Sequence, residues 1–435
     1  MNMKGEKLKM KDSGIEWIGD IPEGWEVSKI KYIADIRSEN GVFNPEINQY
    51  IGLENIKSYS NEIITTGTEY QISFQSKCFK NDVMFSRLRP YLAKVLISPF
   101  DGFCTGELLQ FYNFSGDKKY LYYLLLNPVF IDIVNASTYG AKMPRANTDF
   151  ILNQYFPLPP PETQKRIADF LDAKCAKIDG LKNDIQKQIE TLEQYKKSVI
   201  TEAVTKGINP NAKMKDSGIE WIGKIPEHWE IHPIYYYFEE RKHKNSLCKE
   251  QNLLSLSYGN IIRKDINALG GLLPESFNTY NIIEKDDIVI RPTDLQNDKR
   301  SLRTGLCKEH GIITSAYITL MPKENVNSQY FHYLLHTYDI EKVFYNMGNG
   351  VRQGLNYSEF AKLLVISPTK DEQKDIVAYL DKKCSSIDSI ISTKKQQLEK
   401  LEEYKKSLIF EYVTGKKQVF SGEFPSETSG KKEVV

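Results

Sequence analysis

The stretch MKDSGIEWIGDIPEGWE, Met10–Glu26, returns as MKDSGIEWIGKIPEHWE, Met214–Glu230, with 15 of 17 positions identical. Downstream, QKRIADFLDAKCAKID…YKKSVITEAVT (Gln164–Thr205) returns as QKDIVAYLDKKCSSID…YKKSLIFEYVT (Gln373–Thr414), with 21 of 42 identical. The offsets, 204 and 209, make the chain a tandem duplication. The intervening residues, 27–163 and 231–372, are 137 and 142 long and share only a skeleton, such as YLYYLLL from Tyr120 against YFHYLLH from Tyr330. A frame kept constant while its contents diverge suits a protein whose two heads bind two different things. The repeat divides the chain into a first head (10–161), a first helix (162–206), a second head (207–367), a second helix (368–415) and a polar tail (416–435) expected to be disordered.

The connectors read as helices for local reasons. Pro160, Pro161 and Glu162, and then Pro368 to Glu372, place proline and carboxylates in a first turn, where the positive helix end favours them. Apolar residues follow at Leu171, Ile178, Leu181, Ile185, Leu192, Tyr195 and Val199, interrupted by Lys174 and Gln188. The second copy has Leu380, Ile387, Ile390, Leu401, Tyr404 and Leu408, interrupted by Lys394 and Gln397. Gly207 and Gly415 stand just past the ends, as helix stops commonly do. At about 1.5 Å per residue each helix is about 65 Å long. One apolar seam on so long a helix needs a partner, and its own duplicate is the nearest candidate. Antiparallel pairing is expected to relate the halves by a pseudo-twofold axis with the heads at opposite ends.

The heads read as mixed α/β, with strand-like runs at Val83–Ser86, Lys94–Ile97 and Asp287–Ile290, then helical segments near 118–127 and 328–337. The expected fold class is therefore α+β (mixed): two α/β heads separated by two long antiparallel coiled-coil helices in an internal tandem repeat.

Composition bounds the function. Lys plus Arg is 58 and Asp plus Glu is 57, so any nucleic-acid contact must come from local basic surfaces. Six scattered cysteines (78, 104, 175, 248, 307, 384) give neither a disulfide framework nor a zinc site and are expected to be reduced thiols. No run of 18 apolar residues occurs and the start is polar, which predicts a cytoplasmic chain without membrane contact. GxxxxGK[ST], GxGxxG, HExxH, GxSxG and an Asn-Pro-Pro-aromatic tetrapeptide are all missing from the sequence, which points to a non-catalytic chain.

What the heads do carry is cations and amides among aromatics. Arg87, Arg89, Tyr91 and Lys94 cluster in the first head, and Lys142, Arg145 and Asn147 follow Gly140. In the second head Arg291, Thr293, Lys299, Arg300 and Arg303 occupy the corresponding place, while Arg352, Gln353 and Asn356 follow Gly350. Arginine on guanine and asparagine or glutamine on adenine make paired base contacts, and arginine and lysine also hold phosphates, so these residues are the candidate DNA-binding set.

The twice-occurring KDSGIEWIGxIPExW block, the QKxIxxxLD helix starts and the YKKS helix ends resemble the conserved regions of type I restriction-modification specificity subunits over roughly residues 10–415. The resemblance implies that each head is a target recognition domain reading one half of a split, asymmetric site in double-stranded DNA. It implies that the helices are a spacer on which two methyltransferase subunits dock. S-adenosylmethionine, ATP and Mg would then be used by those methyltransferase and the restriction/translocase subunits, with no cofactor bound by this chain. Heads about one duplex turn apart, about 34 Å, predict a gap of roughly 5–8 bp between half-sites. Two rivals stand beside this reading. A coiled-coil protein-interaction scaffold without DNA specificity explains the helices but not divergence confined to the heads; a self-contained nuclease or methyltransferase would need an active site of unfamiliar pattern.

Overall fold

The computed structural model of the chain describes residues 9–266, 276–293, 302–347 and 354–419, together with Pro274 and Leu295. Beyond Val419, the tail expected to be disordered lies outside the described residues. The chain divides into two compact units, Met1–Gln186 with Lys395–Val435, and Lys187–Lys394. Compactness thus cuts across the segments read from the sequence: each unit takes one head and half of each long helix, Pro161–Lys206 and Lys370–Val413.

In the first unit the repeated block forms a hairpin, Met10–Asp12 against Asp20–Pro22, whose tight turn uses Gly14 and Gly19 at positive φ. Strand Glu26–Lys29 then pairs antiparallel with Tyr155–Leu158, so the head leaves and rejoins the frame through adjacent strands. Inside it, a four-stranded antiparallel sheet runs in the order Asp35–Ile36, Leu108–Tyr112, Val83–Ser86, Val95–Ile97. Side chains alternate across a strand. Val83 and Phe85 accordingly join the main core with helices Lys118–Leu125 and Pro128–Ala136, while Met84 faces a second core with Ile51, Cys78, Leu96 and Cys104. Asp117 and Asn127 cap those helices by accepting backbone N–H groups.

The second unit repeats the scheme. Met214–Asp216 pairs with Lys224–Pro226, and Glu230–Pro233 with Leu364–Ser367. The four-stranded sheet runs Phe238–Glu240, Ile318–Pro322, Ile288–Ile290, Thr304–Leu306. Ile288 and Ile290 face the helical core and Val289 the second core, and helix Ser328–Ile340 starts at the Asn327 cap.

The frame is bolted to each head by the same side chains. In the first unit Tyr120 is fully buried, its hydroxyl 3.1 Å from the Pro157 carbonyl and 3.0 Å from that of Val413; Tyr123 donates to Asp172 at 2.7 Å. In the second, the Tyr330 hydroxyl reaches the carbonyls of Val204 (3.1 Å) and Ile366 (3.4 Å), and Tyr333 donates to Asp381 at 2.7 Å. Gly415, at φ +74°, ends the second helix against the opening block: a Cβ there would lie 2.5 Å from Pro22 Cδ. Gly207, at φ +76°, does the same against Trp229.

Within each unit the two helices run antiparallel. In the first, Lys182 pairs with Glu402 and Lys405 with Asp179; in the second, Lys196 pairs with Asp388. The seam differs from the sequence reading at every other position. Leu171, Ile178, Ile185, Leu192 and Val199 lie on it, as do Leu380, Ile387, Leu401 and Leu408, but Leu181, Tyr195, Ile390 and Tyr404 do not: they are 46%, 51%, 47% and 54% exposed. The positions between the shared ones are filled one residue later, by Cys175, Lys182, Ile189 and Lys196, and by Cys384, Ile391 and Lys405. A heptad accepts either order of the 3 and 4 spacings, and apolarity alone chose the wrong one. Lysines take those seam positions because a partner carboxylate meets them; Lys405 is 3% exposed and donates to both Asp179 oxygens at 2.8 and 2.7 Å. All six cysteines are free, and only Cys248 is exposed.

The helix entering the core carries two histidines in the second head that the first lacks. Where the first head has Tyr122 and Leu126, the second has His332 and His336, both pushed down to about 4, chiefly by burial. The Nε2 atom of His332 is sealed from solvent without a hydrogen-bond partner. Unfolded histidines bind a proton near pH 6.5, folded ones here only near 4, so the unfolded chain takes up more protons in between. These two rings should therefore lower the stability of the second unit as pH drops from 6.5 through 4, by roughly 1–2 kcal/mol each at pH 5, partly offset by His310, which Glu284 and Glu250 hold above its ordinary range. Hydrogen exchange at pH 7 and pH 5 should show that unit loosening first, and His332→Phe should flatten its pH dependence. Equal loosening of both units would contradict this assignment.

Candidate nucleic-acid interface

In the first head two separate basic stretches come together. Strand Val83–Ser86 runs out at Arg87, and the chain turns through a short 3-10 helix, Pro90–Leu92, flanked by Arg89 and Ala93 at φ +49° and +47°. The loop 139–146 zips onto this turn: the Arg89 N–H donates to Pro144 O (2.8 Å), Ala146 N–H to Arg87 O (2.9 Å), and Tyr139 and Arg145 exchange backbone hydrogen bonds (3.1 and 3.0 Å). Arg89 Nη2 also reaches Lys142 O at 3.4 Å. Arg87, Arg89, Lys142 and Arg145 therefore share one rim, with Tyr91 half exposed beside them and Lys142 exposed.

A carboxylate missed in the sequence organises that rim. Glu107 sits in the turn between strands Gly102–Cys104 and Leu108–Tyr112. It accepts from Arg145 Nε (3.0 Å) and Nη2 (2.7 Å), and its other oxygen lies 3.5 Å from Arg87 Nε. Nothing local in the sequence marks Glu107.

Three residues of the expected set serve the fold instead. The Lys94 ammonium donates to Leu53 O at 2.5 Å and burial lowers its pKa, so it is spent on the loop beneath the rim. Asn147 caps helix Thr148–Leu152 by accepting from Asp149 and Phe150 N–H, and Asn356 caps Tyr357–Phe360 at the equivalent place.

The second head corrects the expectation further. Arg303 is 1% exposed; its guanidinium donates to Thr293 O (2.5 Å) and lies 3.7 Å from Asp339, whose carboxylate also accepts the Arg303 N–H at 2.6 Å. It is a core residue, because a guanidinium so inaccessible presents no edge that a base could reach. Burial, opposed by Arg303, holds the Asp339 carboxyl above its ordinary range. Arg291 is partly buried, its N–H donating to Arg303 O at 2.8 Å, and the Leu355 N–H donates to Pro292 O as Ala146 does to Arg87 O. Lys299, Arg300, Arg352 and Gln353 lie outside the described residues.

Under both sheets lies a matched ion pair that the sequence reading passed over. Arg37 Nε meets Asp82 at 2.6 Å, and Arg241 Nε meets Asp287 at 2.5 Å, with both carboxylates nearly inaccessible. Arg37 also lies over the rings of Phe79 and Tyr112 at 4.3 and 4.2 Å. The signal was available: Arg recurs at an offset of 204 and Asp at 205 inside heads that otherwise diverge.

Among the described residues no His/Cys/Asp/Glu group could hold a metal ion, and no helix is long and apolar enough to cross a membrane. The molecule is thus defined as a duplicated α+β chain in which two unlike heads share one paired-helix frame. The family model for the type I restriction modification DNA specificity domain matches residues 22–191 and 276–401, and the chain belongs to that family. It is similar to the type I restriction enzyme MjaVIII specificity subunit of Methanocaldococcus jannaschii, at 28% identity over 323 residues, 70% of this chain and 71% of that one. A second chain from that organism, designated the MjaX specificity subunit, is 27% identical over 433 residues, 92% of this chain and 96% of its own length. A solved chain from work on complex assembly and conformational transition of the type I R-M system shares the fold at 15% identity, TM-score 0.66, covering 90% of this chain and 98% of that one. The scaffold alternative gains no support from these likenesses. The chain is a DNA-specificity subunit with two recognition domains.

Proposed function

We propose that each head reads one half of a split, asymmetric site in double-stranded DNA, and that this chain carries the address while partner subunits carry the chemistry. The observation that bears most weight is the contrast between frame and contents. The anchoring tyrosines, caps and ion pairs recur in both units, whereas at the places matched by the Ala146 and Leu355 backbone bonds the first head has Arg87 and Arg145 and the second Pro292 and Gly354. Unlike rims on like frames suit unlike half-sites.

The frame in turn suits two copies of one partner. Leu181 and Tyr404 in the first unit, and Ile390 and Tyr195 in the second, are equivalent under the 209-residue offset, and each is about half exposed. Each precedes a seam residue by one, so in an antiparallel pair the two members of a set share one flank. An apolar pair repeated on two charged helices is a surface to be covered. Two methyltransferase subunits are the occupants we assign, with restriction/translocase subunits joining them. S-adenosylmethionine, ATP and Mg then belong to those partners, none is bound by this chain, the chain itself is non-catalytic, and the complex works in the cytoplasm.

Modified-base sequencing of DNA from cells expressing this chain with its methyltransferase tests the proposal. The expected result is a motif of two unlike half-sites separated by a fixed gap, each carrying methyladenine. A bound, folded methyltransferase that leaves no motif would refute it.

A further inference from the structure

We infer that Glu107 is a specificity-determining residue of the first head, a positioning carboxylate that aims Arg145 and Arg87 and withholds their charge from DNA of the wrong sequence. The inference rests on the reading that this rim faces DNA. Arginine carries donors on two edges: Nε with one terminal nitrogen along the side, and the two terminal nitrogens along the end. Glu107 takes the side edge of Arg145, at Nε (3.0 Å) and Nη2 (2.7 Å). The end edge is left for the paired acceptors O6 and N7 of a guanine. The same carboxylate lies 3.5 Å from Arg87 Nε, and the Arg87 N–H donates to the Glu107 carbonyl at 3.0 Å, so both arginines are indexed to one residue.

The group is neither buried nor free. Glu107 is 20% exposed at its side chain, against 36% and 41% for Arg87 and Arg145. A phosphate approaching these arginines meets an anion already in place and is repelled by it. A guanine edge carries no net charge and does not compete for the side edge. The carboxylate therefore penalises backbone binding more than base reading, which is how a cationic rim avoids indiscriminate attachment.

The second head has no such residue at the corresponding place. Arg37 N–H donates to Gln110 O and Arg241 N–H to Thr319 O, which aligns the two strands. Three residues upstream of those acceptors stand Glu107 and Ala316. The second head thus serves as an internal control.

The test uses the full chain assembled with its methyltransferase, on DNA with single changes in the half-site of the first head. Glu107→Gln keeps the size and removes the charge. Affinity for non-cognate duplex should rise several-fold, and the logarithmic salt dependence should steepen by about 1 for each phosphate newly held. Discrimination at one base pair of that half-site should fall about 10-fold, within the range of one paired arginine–guanine contact, while the other half-site keeps its fidelity. Glu107→Asp, which retains the charge, should return the salt dependence to the parent value. An unchanged slope with cognate and non-cognate binding falling together would make Glu107 a mere prop and overturn the inference. Failure of the underlying reading looks different: Arg87→Ala and Arg145→Ala would then leave the half-site and affinity untouched.

Discussion

Exchanging residues 27–163 for the corresponding segment of another family member should replace one half of the methylated motif completely, leaving the other half and the gap unchanged. The reason lies in how the head is attached. Its first and last strands, Glu26–Lys29 and Tyr155–Leu158, are antiparallel neighbours, with Glu26 opposite Leu158. A segment entering and leaving through paired strands can be exchanged without moving the frame. The groups that seat it, Trp25 before it and Gln164 and Asp172 after it, lie outside the exchanged residues. The donor must supply the Tyr120 and Tyr123 hydroxyls, which the divergent second head keeps as Tyr330 and Tyr333; the Lys119–Asp172 ion pair, with Gln329 at the matching place, is dispensable. Modified-base sequencing reads the outcome directly. A gap altered by the exchange would mean that the head, rather than the frame, sets spacing.

Removing one carboxylate beneath either sheet should be the most damaging single change in that head. Asp82 and Asp287 are 4% and 1% exposed at their side chains, and each holds an arginine and accepts a backbone N–H, from Phe79 at 2.9 Å and Glu284 at 2.8 Å. Burial keeps the Asp287 carboxyl above its usual range despite Arg241, which shows how much desolvation the pair must overcome. Asp82→Asn or Asp287→Asn strands a guanidinium in a site built for a salt bridge, at a cost of about 3–5 kcal/mol. Urea unfolding followed by hydrogen exchange should place that loss in the altered unit. Replacing both partners with apolar residues of similar volume should recover much of it. A loss under about 1 kcal/mol would mean the pair behaves like a surface ion pair.

Much of the architecture was legible because duplication reports on itself. Blocks that recur mark frame, and the helices, their proline entries and glycine ends followed from them. The seam was half legible: Leu171, Ile178 and Ile185 stand out by apolarity, whereas Lys182, Lys196 and Lys405 are recognisable as interior only beside Glu402, Asp388 and Asp179. The rim was legible as residue types and not as geometry. Arg87 and Arg145 were found by charge, but whether a cation faces outward depends on carboxylates distant in sequence. Glu107 leaves Arg145 at the surface; Asp339 draws Arg303 into the core.

The division of the chain also has a consequence for its birth on the ribosome. The unit Lys187–Lys394 is continuous, so it can close as soon as its last residues emerge. The other is not: its main core takes Leu408, Ile409, Tyr412 and Val413 from the far end of the chain. The head made first is therefore the one completed last, its Tyr120 hydroxyl waiting for the Val413 carbonyl while more than two hundred later residues are synthesised. Through that interval the nascent N-terminal half carries an open apolar face, where chaperones would bind and where a prematurely terminated chain would aggregate.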